Sequence, residues 1–160
     1  MIDPELIKID IGVTPEAAIS GAVLLQTEDR AFLTFNAMRD TTRPSPYGGF
    51  YKEDAGTAII ELVDCCITKF GYPNDEAWHG IPLTKGCTYG VYEVQNSPWK
   101  EELVRLNQFS FPNTKKWRGR HFIFLFHDSS FECIAAELGL QLSQESYQEL
   151  FRKVVARVLR

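Results

Sequence analysis

Long apolar runs are missing: nowhere do the 160 residues approach the roughly 18 uninterrupted apolar residues that a membrane-spanning helix needs. Positive charge is not in excess. Seventeen Lys and Arg against 21 Asp and Glu leave a net charge of −4, so nucleic-acid binding would need a local basic patch. The four cysteines, Cys65, Cys66, Cys87 and Cys133, form no Cys-x-x-Cys pair and no Cys/His quartet at zinc spacing. Phosphate-loop, dinucleotide and Gly-x-Ser-x-Gly fingerprints are also missing, which counts against nucleotide-dependent enzymes and α/β-hydrolases. Internal repeats and low-complexity blocks do not occur. Glycine (11) and proline (8) are spread along the chain, which excludes a collagen-like or disordered polymer.

What is present suits one globular domain over residues 1–160, with 44% hydrophobic and 12% aromatic residues. The segment Met1-Ile2-Asp3-Pro4-Glu5 is acidic where an export signal is basic, so the expected compartment is the cytoplasm, with reduced thiols.

Local patterns predict the elements. The runs Ala22–Gln26 and Ala31–Asn36 flank a polar connector and predict a hairpin. Residues Arg39 to Gly56, with two prolines and Gly48-Gly49, read as a loop. Between Gly56 and Phe70 a helical period competes with β-branched residues, and the reading favours a long strand bent near Asp64. Gly71 to Asp75 is a turn. Thr88 to Val94 alternates as a strand. Ser97-Pro98 starts a helix to about Asn107, with Ser97 as its cap.

Arg120 to Phe126 is a central strand, its phenylalanines Phe122, Phe124 and Phe126 on one face. Phe131 to Ala136 returns beside it. Ser143 caps a final helix with the apolar stripe Tyr147, Leu150, Phe151, Val154, Val155, Val158 and Leu159. The expected fold is α+β: an antiparallel sheet of about five or six strands, with two main helices (about 98–107 and 144–159) packed on it.

Two strings stand out: Phe70-Gly71-Tyr72-Pro73-Asn74-Asp75-Glu76-Ala77, followed by His79-Gly80 and Pro82-Leu83, and Phe126-His127-Asp128-Ser129-Ser130-Phe131-Glu132-Cys133-Ile134-Ala135. With Tyr92-Glu93-Val94 and Ser97-Pro98-Trp99, they make residues 57–136 resemble a family of small uncharacterised bacterial proteins. The resemblance implies a soluble bacterial protein and carries no activity to transfer.

Three constellations carry candidate chemistry. If Ser129-Ser130 turns the last hairpin, His127 faces Glu132, and a carboxylate there would orient the imidazole as an acid or base. His127, Asp128 and Glu132 are therefore the candidate catalytic residues. Tyr72, Asn74, Asp75, Glu76 and His79 are candidate binding residues, Glu76 and His79 having the Glu-x-x-His spacing that can share a metal on a helix. Only one copy of that motif occurs, so no metal is assigned; Asn74 and Asp75 also suit simple turn closure. Lys115-Lys116-Trp117-Arg118-Gly119-Arg120-His121 clusters cations around Trp117, a third binding candidate that would stack on a base.

The sum leans towards a non-catalytic binding or interaction protein with no cofactor, and a protein or small-molecule partner rather than nucleic acid or membrane. The alternative is a small, metal-dependent hydrolase built on His127 and Glu132 with Asp75, Glu76 and His79. Convergence separates them: an enzyme needs these groups in one concave pocket.

Overall fold

The computed structural model describes residues 2–19, 21–113 and 118–159. Two five-stranded antiparallel sheets pack face to face. The first is ordered β1-β7-β8-β9-β6: Glu5–Ile9, Gly90–Gln95, Arg120–Leu125, Ser130–Ala135 and Ile67–Gly71. The second runs β10-β5-β4-β2: Glu137–Ser143, Phe50–Val63, Ala31–Pro44 and Thr14–Pro15, with β3 (Val23–Gln26) also on β4. The helices are α1 (Asp75–Trp78), α2 (Pro98–Ser110) and α3 (Tyr147–Val158).

Alternation explains the layers. Phe122, Phe124, Phe131 and Cys133 point inward from β8 and β9 and meet Leu33, Phe35, Ala58 and Ile60 of β4 and β5. Their neighbours Ile123 and Leu125 point outward and are covered by Trp78 of α1. On the outer face of the second sheet, Leu150, Val154 and Val158 of α3 cover Phe32 and Ile59. A strand with two apolar faces thus sits in the middle of three layers. Among the described residues, no helix is long and apolar enough to cross a membrane.

Several expectations need correction. Among the described residues the strands number ten in two sheets, not five or six in one, and α1 is a third helix. The segment from Arg39 to Gly56 is not a loop but the outer halves of β4 and β5, which pair as an arm. Up to Asp54 its residues are mostly solvent-exposed on both sides, and only Ala55 at its base enters the core, so no apolar alternation marks them as strand. The arm turns at Gly48-Gly49, and a bulge beside Gly56 bends it. Gly56 has φ of 86°, and a Cβ there would lie 2.4 Å from the Ser143 carbonyl of β10, so only glycine fits.

The stretch 57–70 is strand, but it is split between sheets. β5 ends at Val63, Asp64 adopts a left-handed φ of 49°, and β6 starts at Ile67 in the other sheet. Ser146, not Ser143, caps α3: it accepts from the Glu149 amide and donates to the Glu149 carboxylate at 2.8 Å. Ser97 does cap α2, accepting from the Lys100 amide at 3.1 Å, but that helix runs on to Ser110. None of its residues is buried, so α2 is not packed on the sheet along its length. Its first turn docks through Trp99, which meets His121 edge-on and has the Lys69 ammonium 3.8 Å from its ring centre.

Candidate functional site

The β8–β9 hairpin sets the geometry. The Phe126 amide donates to the Ser129 carbonyl at 3.0 Å, so His127 and Asp128 form the two-residue turn. Leu125 therefore pairs with Ser130 and Ile123 with Glu132. The expected facing pair of His127 and Glu132 does not form. Moving the turn by two residues keeps every side chain on its face, so alternation alone does not distinguish the two registers.

Glu132 instead receives His121, diagonally across the same hairpin, at 2.9 Å from Nε2. A carboxylate only accepts, so Nε2 carries the proton, and Nδ1 accepts from the Ser97 hydroxyl at 2.8 Å. Ser97 Oγ in turn accepts from the Lys100 amide. This chain contains the residue types of a hydrolytic triad, yet Ser97 and His121 are buried and the serine oxygen is committed to capping α2. It anchors the first turn of the helix. His121 went unpaired in the sequence because the bond is diagonal and its second partner lies 24 residues away.

Hydrogen bonding from His121 holds the Glu132 carboxyl below its ordinary value; burial opposes this, and the charge of Lys69 reinforces it. A depressed folded pKa gives stability present above the ordinary carboxylate range and lost as pH falls through the folded value. His121→Ala is expected to cost about 1–3 kcal/mol at neutral pH by leaving Ser97 and Glu132 unpaired. Denaturant melts should show that difference shrinking in acid.

His127 finds Asp75. Its Nδ1 donates to Asp75 Oδ2 at 2.8 Å, and the same oxygen accepts the Tyr89 hydroxyl at 2.6 Å. The Asp75 amide also donates to the His127 carbonyl at 3.0 Å, so side chain and backbone together clip α1 to the hairpin tip. Asn74 caps α1 through the Ala77 amide, as its turn chemistry predicts. Trp78 drives the clip home: it is fully buried and its ring lies 5.5 Å from that of Tyr89.

The Asp75 carboxyl is lowered first by the Tyr89 hydrogen bond, against burial, and then by His127. Tyr89 is pushed up to about 12 because its proton is held by Asp75, with burial and the charges of Asp75 and Asp128 adding to the effect. The His127 ring is half-exposed, with Nε2 3.8 Å from Asp128 Oδ1.

The rest of the expected constellation stays apart. Glu76 and His79 are exposed, and the His79 ring lies edge-on against Trp78. Tyr72 projects into solvent. Among the described residues, no group of three His, Cys, Asp or Glu side chains is arranged to hold a metal ion. Trp117, with Lys115 and Lys116, lies outside the described residues. Of the remaining basic run, Arg120 is paired with Glu93 and stacked over Phe122, while His121 is buried.

Concavity appears next to the clip. A cleft of about 520 Å³ opens between the ends of the two sheets beneath the arm; Lys8, Thr14, Lys52, Thr88, Tyr89 and Phe50 are among the residues lining it. Lys8 donates to Thr88 Oγ1 at 3.0 Å, and Lys52 to Asp40 at 2.6 Å and Thr14 at 3.2 Å. A smaller cavity of about 120 Å³ shares Pro15 and Glu16 with the cleft and reaches Asp128 and Ser129 at the hairpin tip. Tyr89 joins cleft and clip. Nothing in the sequence marks Tyr89, because an alternating strand start gives no sign that one of its hydroxyls meets a carboxylate 14 residues earlier.

Fold and site together define a two-sheet α+β sandwich with a polar cleft under a β-arm. No protein-family model, curated protein or solved structure matches the chain.

Proposed function

We propose that the chain is a non-catalytic binding module whose cleft takes a small molecule bearing a carboxylate or phosphate. The observation that carries this reading is that Lys8, Lys52, Thr14 and Thr88 line one concavity, which Glu16 and Asp40 also line. The volume lies within the range usual for small-ligand sites. Two of the polar groups are partly spent on each other: Lys8 uses one of its three donors on Thr88, leaving two for an anion. Lys52 is shared with Asp40, so Lys8 is the principal anion contact. Phe50 and the Tyr89 ring supply apolar wall.

Against catalysis, the imidazoles that solvent reaches, His79 beside α1 and His127 at the hairpin tip, are not among the residues lining the cleft. The two family-like strings support the reading indirectly, since they meet at the Asp75–His127 clip behind the Tyr89 wall. The bacterial cytoplasmic setting rests on that resemblance and on the expectation drawn from the sequence.

Titration of ¹⁵N-labelled protein with benzoate and, separately, inorganic phosphate tests the proposal. Amide shifts are expected to concentrate at Lys8, Thr14, Lys52, Thr88 and Tyr89, and Lys8→Ala should weaken binding about tenfold, the loss of one charge-assisted contact. Shifts scattered over the surface, or none with either anion, would refute it.

A further inference from the structure

The outer face of the second sheet is only partly covered by α3. Leu150 and Val154 pack on Phe32 and Ile59, and the Tyr147 hydroxyl meets the Thr34 hydroxyl at 3.2 Å. Two residues further along β4 the face opens into a cavity of about 380 Å³. Its floor is one transverse row of polar residues. Asn36 of β4 pairs with Thr57 of β5, and Thr57 with Ser143 of β10. Directly opposed residues share a face and lie about 5 Å apart, so the three side chains form a continuous strip. Thr57 is 6% exposed and lines the cavity, yet its hydroxyl has no hydrogen-bond partner among the described residues. The half-buried Asn36 side-chain amide is likewise unpartnered among them. Buried polar groups are normally hydrogen-bonded, so the partner of this row is whatever fills the cavity.

The walls are pinned on both sides. On one, the Glu16 amide donates to the Asn36 carbonyl at 2.9 Å and the Tyr147 hydroxyl to the Gly21 carbonyl at 2.8 Å. On the other, Gln144 Nε2 donates to the Ala55 carbonyl at 2.9 Å, beside the close approach of the Ser143 carbonyl to Gly56. Charge decides what enters. Glu16, Asp54 and Glu145 line the cavity, and no lysine or arginine is among its lining residues. Glu145 is paired with Lys153. Glu16 and Asp54 instead accept backbone amides, from Ala18 at 3.1 Å and Gly56 at 2.7 Å, and keep their charge unbalanced by any ion pair among the described residues. These carboxylates are too dispersed for one metal ion, since no metal-holding group of three forms among the described residues.

The geometry points to a second ligand site on this face, one that takes a small aliphatic diamine across the Asn36–Thr57–Ser143 row. An ammonium N–H donates to the Asn36 amide oxygen and the Thr57 hydroxyl, the two acceptors the fold leaves free. Glu16 and Asp54, separate and unbalanced, answer two separate positive charges, and Ile19 and Met38 supply apolar wall for the methylenes. The volume lies within the range usual for small-ligand sites. The site does not depend on the anion cleft beneath the arm. The two concavities share Glu16 and Met38, but Lys8 and Lys52 line only the cleft.

The test is to titrate ¹⁵N-labelled protein with 1,4-diaminobutane and, separately, with n-butylamine and calcium chloride. Saturable amide shifts are expected at Asn36, Asp54, Thr57 and Gln144 with the diamine. Butylamine, which meets only one carboxylate, should bind there about tenfold more weakly. Thr57→Val keeps the side-chain shape and removes only the unpartnered hydroxyl. It should melt no lower than the wild type and bind the diamine about tenfold more weakly. Asp54→Asn retains the acceptor for the Gly56 amide and should weaken the diamine by a similar factor; if Thr57→Val misfolds, this variant carries the test. Wild-type affinity in the folded variants, an equal response to calcium, shifts centred on Lys8, Thr88 and Tyr89, or no saturable shifts would each overturn the inference.

Discussion

Val154→Asp is expected to abolish the folded protein. Val154 is fully buried between α3 and the outer face of the second sheet, packed with Phe32 and Ile59. Aspartate there loses the valine's apolar burial and places a carboxylate in a dry layer, where the effective desolvation penalty is several kcal/mol. The nearest cations do not rescue it. Arg30 and Arg157 already bind Glu61, and the Arg30 guanidinium also donates to the Arg157 carbonyl at the helix end. Against a typical net stability of about 5–15 kcal/mol, that loss is decisive. Val154→Ala, which adds no charge, should cost roughly 2 kcal/mol and leave a folded, less stable domain. Circular dichroism and denaturant melts of the two variants separate these outcomes; an unchanged melting temperature in Val154→Asp would mean that α3 is peripheral.

The second large effect belongs to Trp78→Ala, at about 3–5 kcal/mol. Trp78 is 1% exposed and fills the outer layer of the first sheet with Tyr92, Val94, Ile123 and Leu125. Its indole N–H has no hydrogen-bond partner among the described residues, so the ring is held by packing alone. Trp78→Phe should therefore be far milder, roughly 1 kcal/mol. The same substitution has a consequence at the site. Without the indole, α1 loses its anchor, and Asp75 is no longer held against both His127 and Tyr89. Trp78→Ala should release the Tyr89 hydroxyl and let it ionise at lower pH, whereas Trp78→Phe should not. A Trp78→Ala variant with wild-type stability would show that α1 is a surface appendage.

How far the sequence alone reaches follows from what each element presents to water. The β3–β4 hairpin and the α3 stripe were readable from apolar residues grouped against a core, and β8 from an unbroken apolar run, because both of its faces are covered. Register β3–β4 even falls where the polar connector predicts, Gln26 opposite Ala31. The arm was not readable, since two solvated faces write no period. The second sheet was hidden for a different reason: the one-residue reversal at Asp64 looks like a bend within a single strand, although it hands the chain from one sheet to the other.

The candidate site was half visible. His127, Asp128, Asn74 and Asp75 are turn and cap residues as well as site residues, and their strings drew attention to them. Their partners were not visible. A two-residue shift of the hairpin moved Glu132 from His127 to the diagonal of His121, and Asp75 reached His127 across 52 residues. Long-range side-chain bonds of this kind leave no trace in local spacing, so Tyr89, Lys8 and Lys52 emerged only with the cleft.

The Tyr89–Asp75–His127 unit ties the cleft wall to the hairpin tip, and its direct measure is the ionisation of Tyr89. Protein labelled with ¹³C at the tyrosine Cζ, with the Tyr89 signal assigned by its disappearance in Tyr89→Phe, can be titrated as wild type and as Asp75→Asn. With the carboxylate in place the phenol should ionise at about 12; with the amide it should fall towards the ordinary 10, because both the charge and the strong acceptor are gone. A Tyr89 midpoint that is the same in both proteins would contradict the unit, and with it the coupling of cleft and clip.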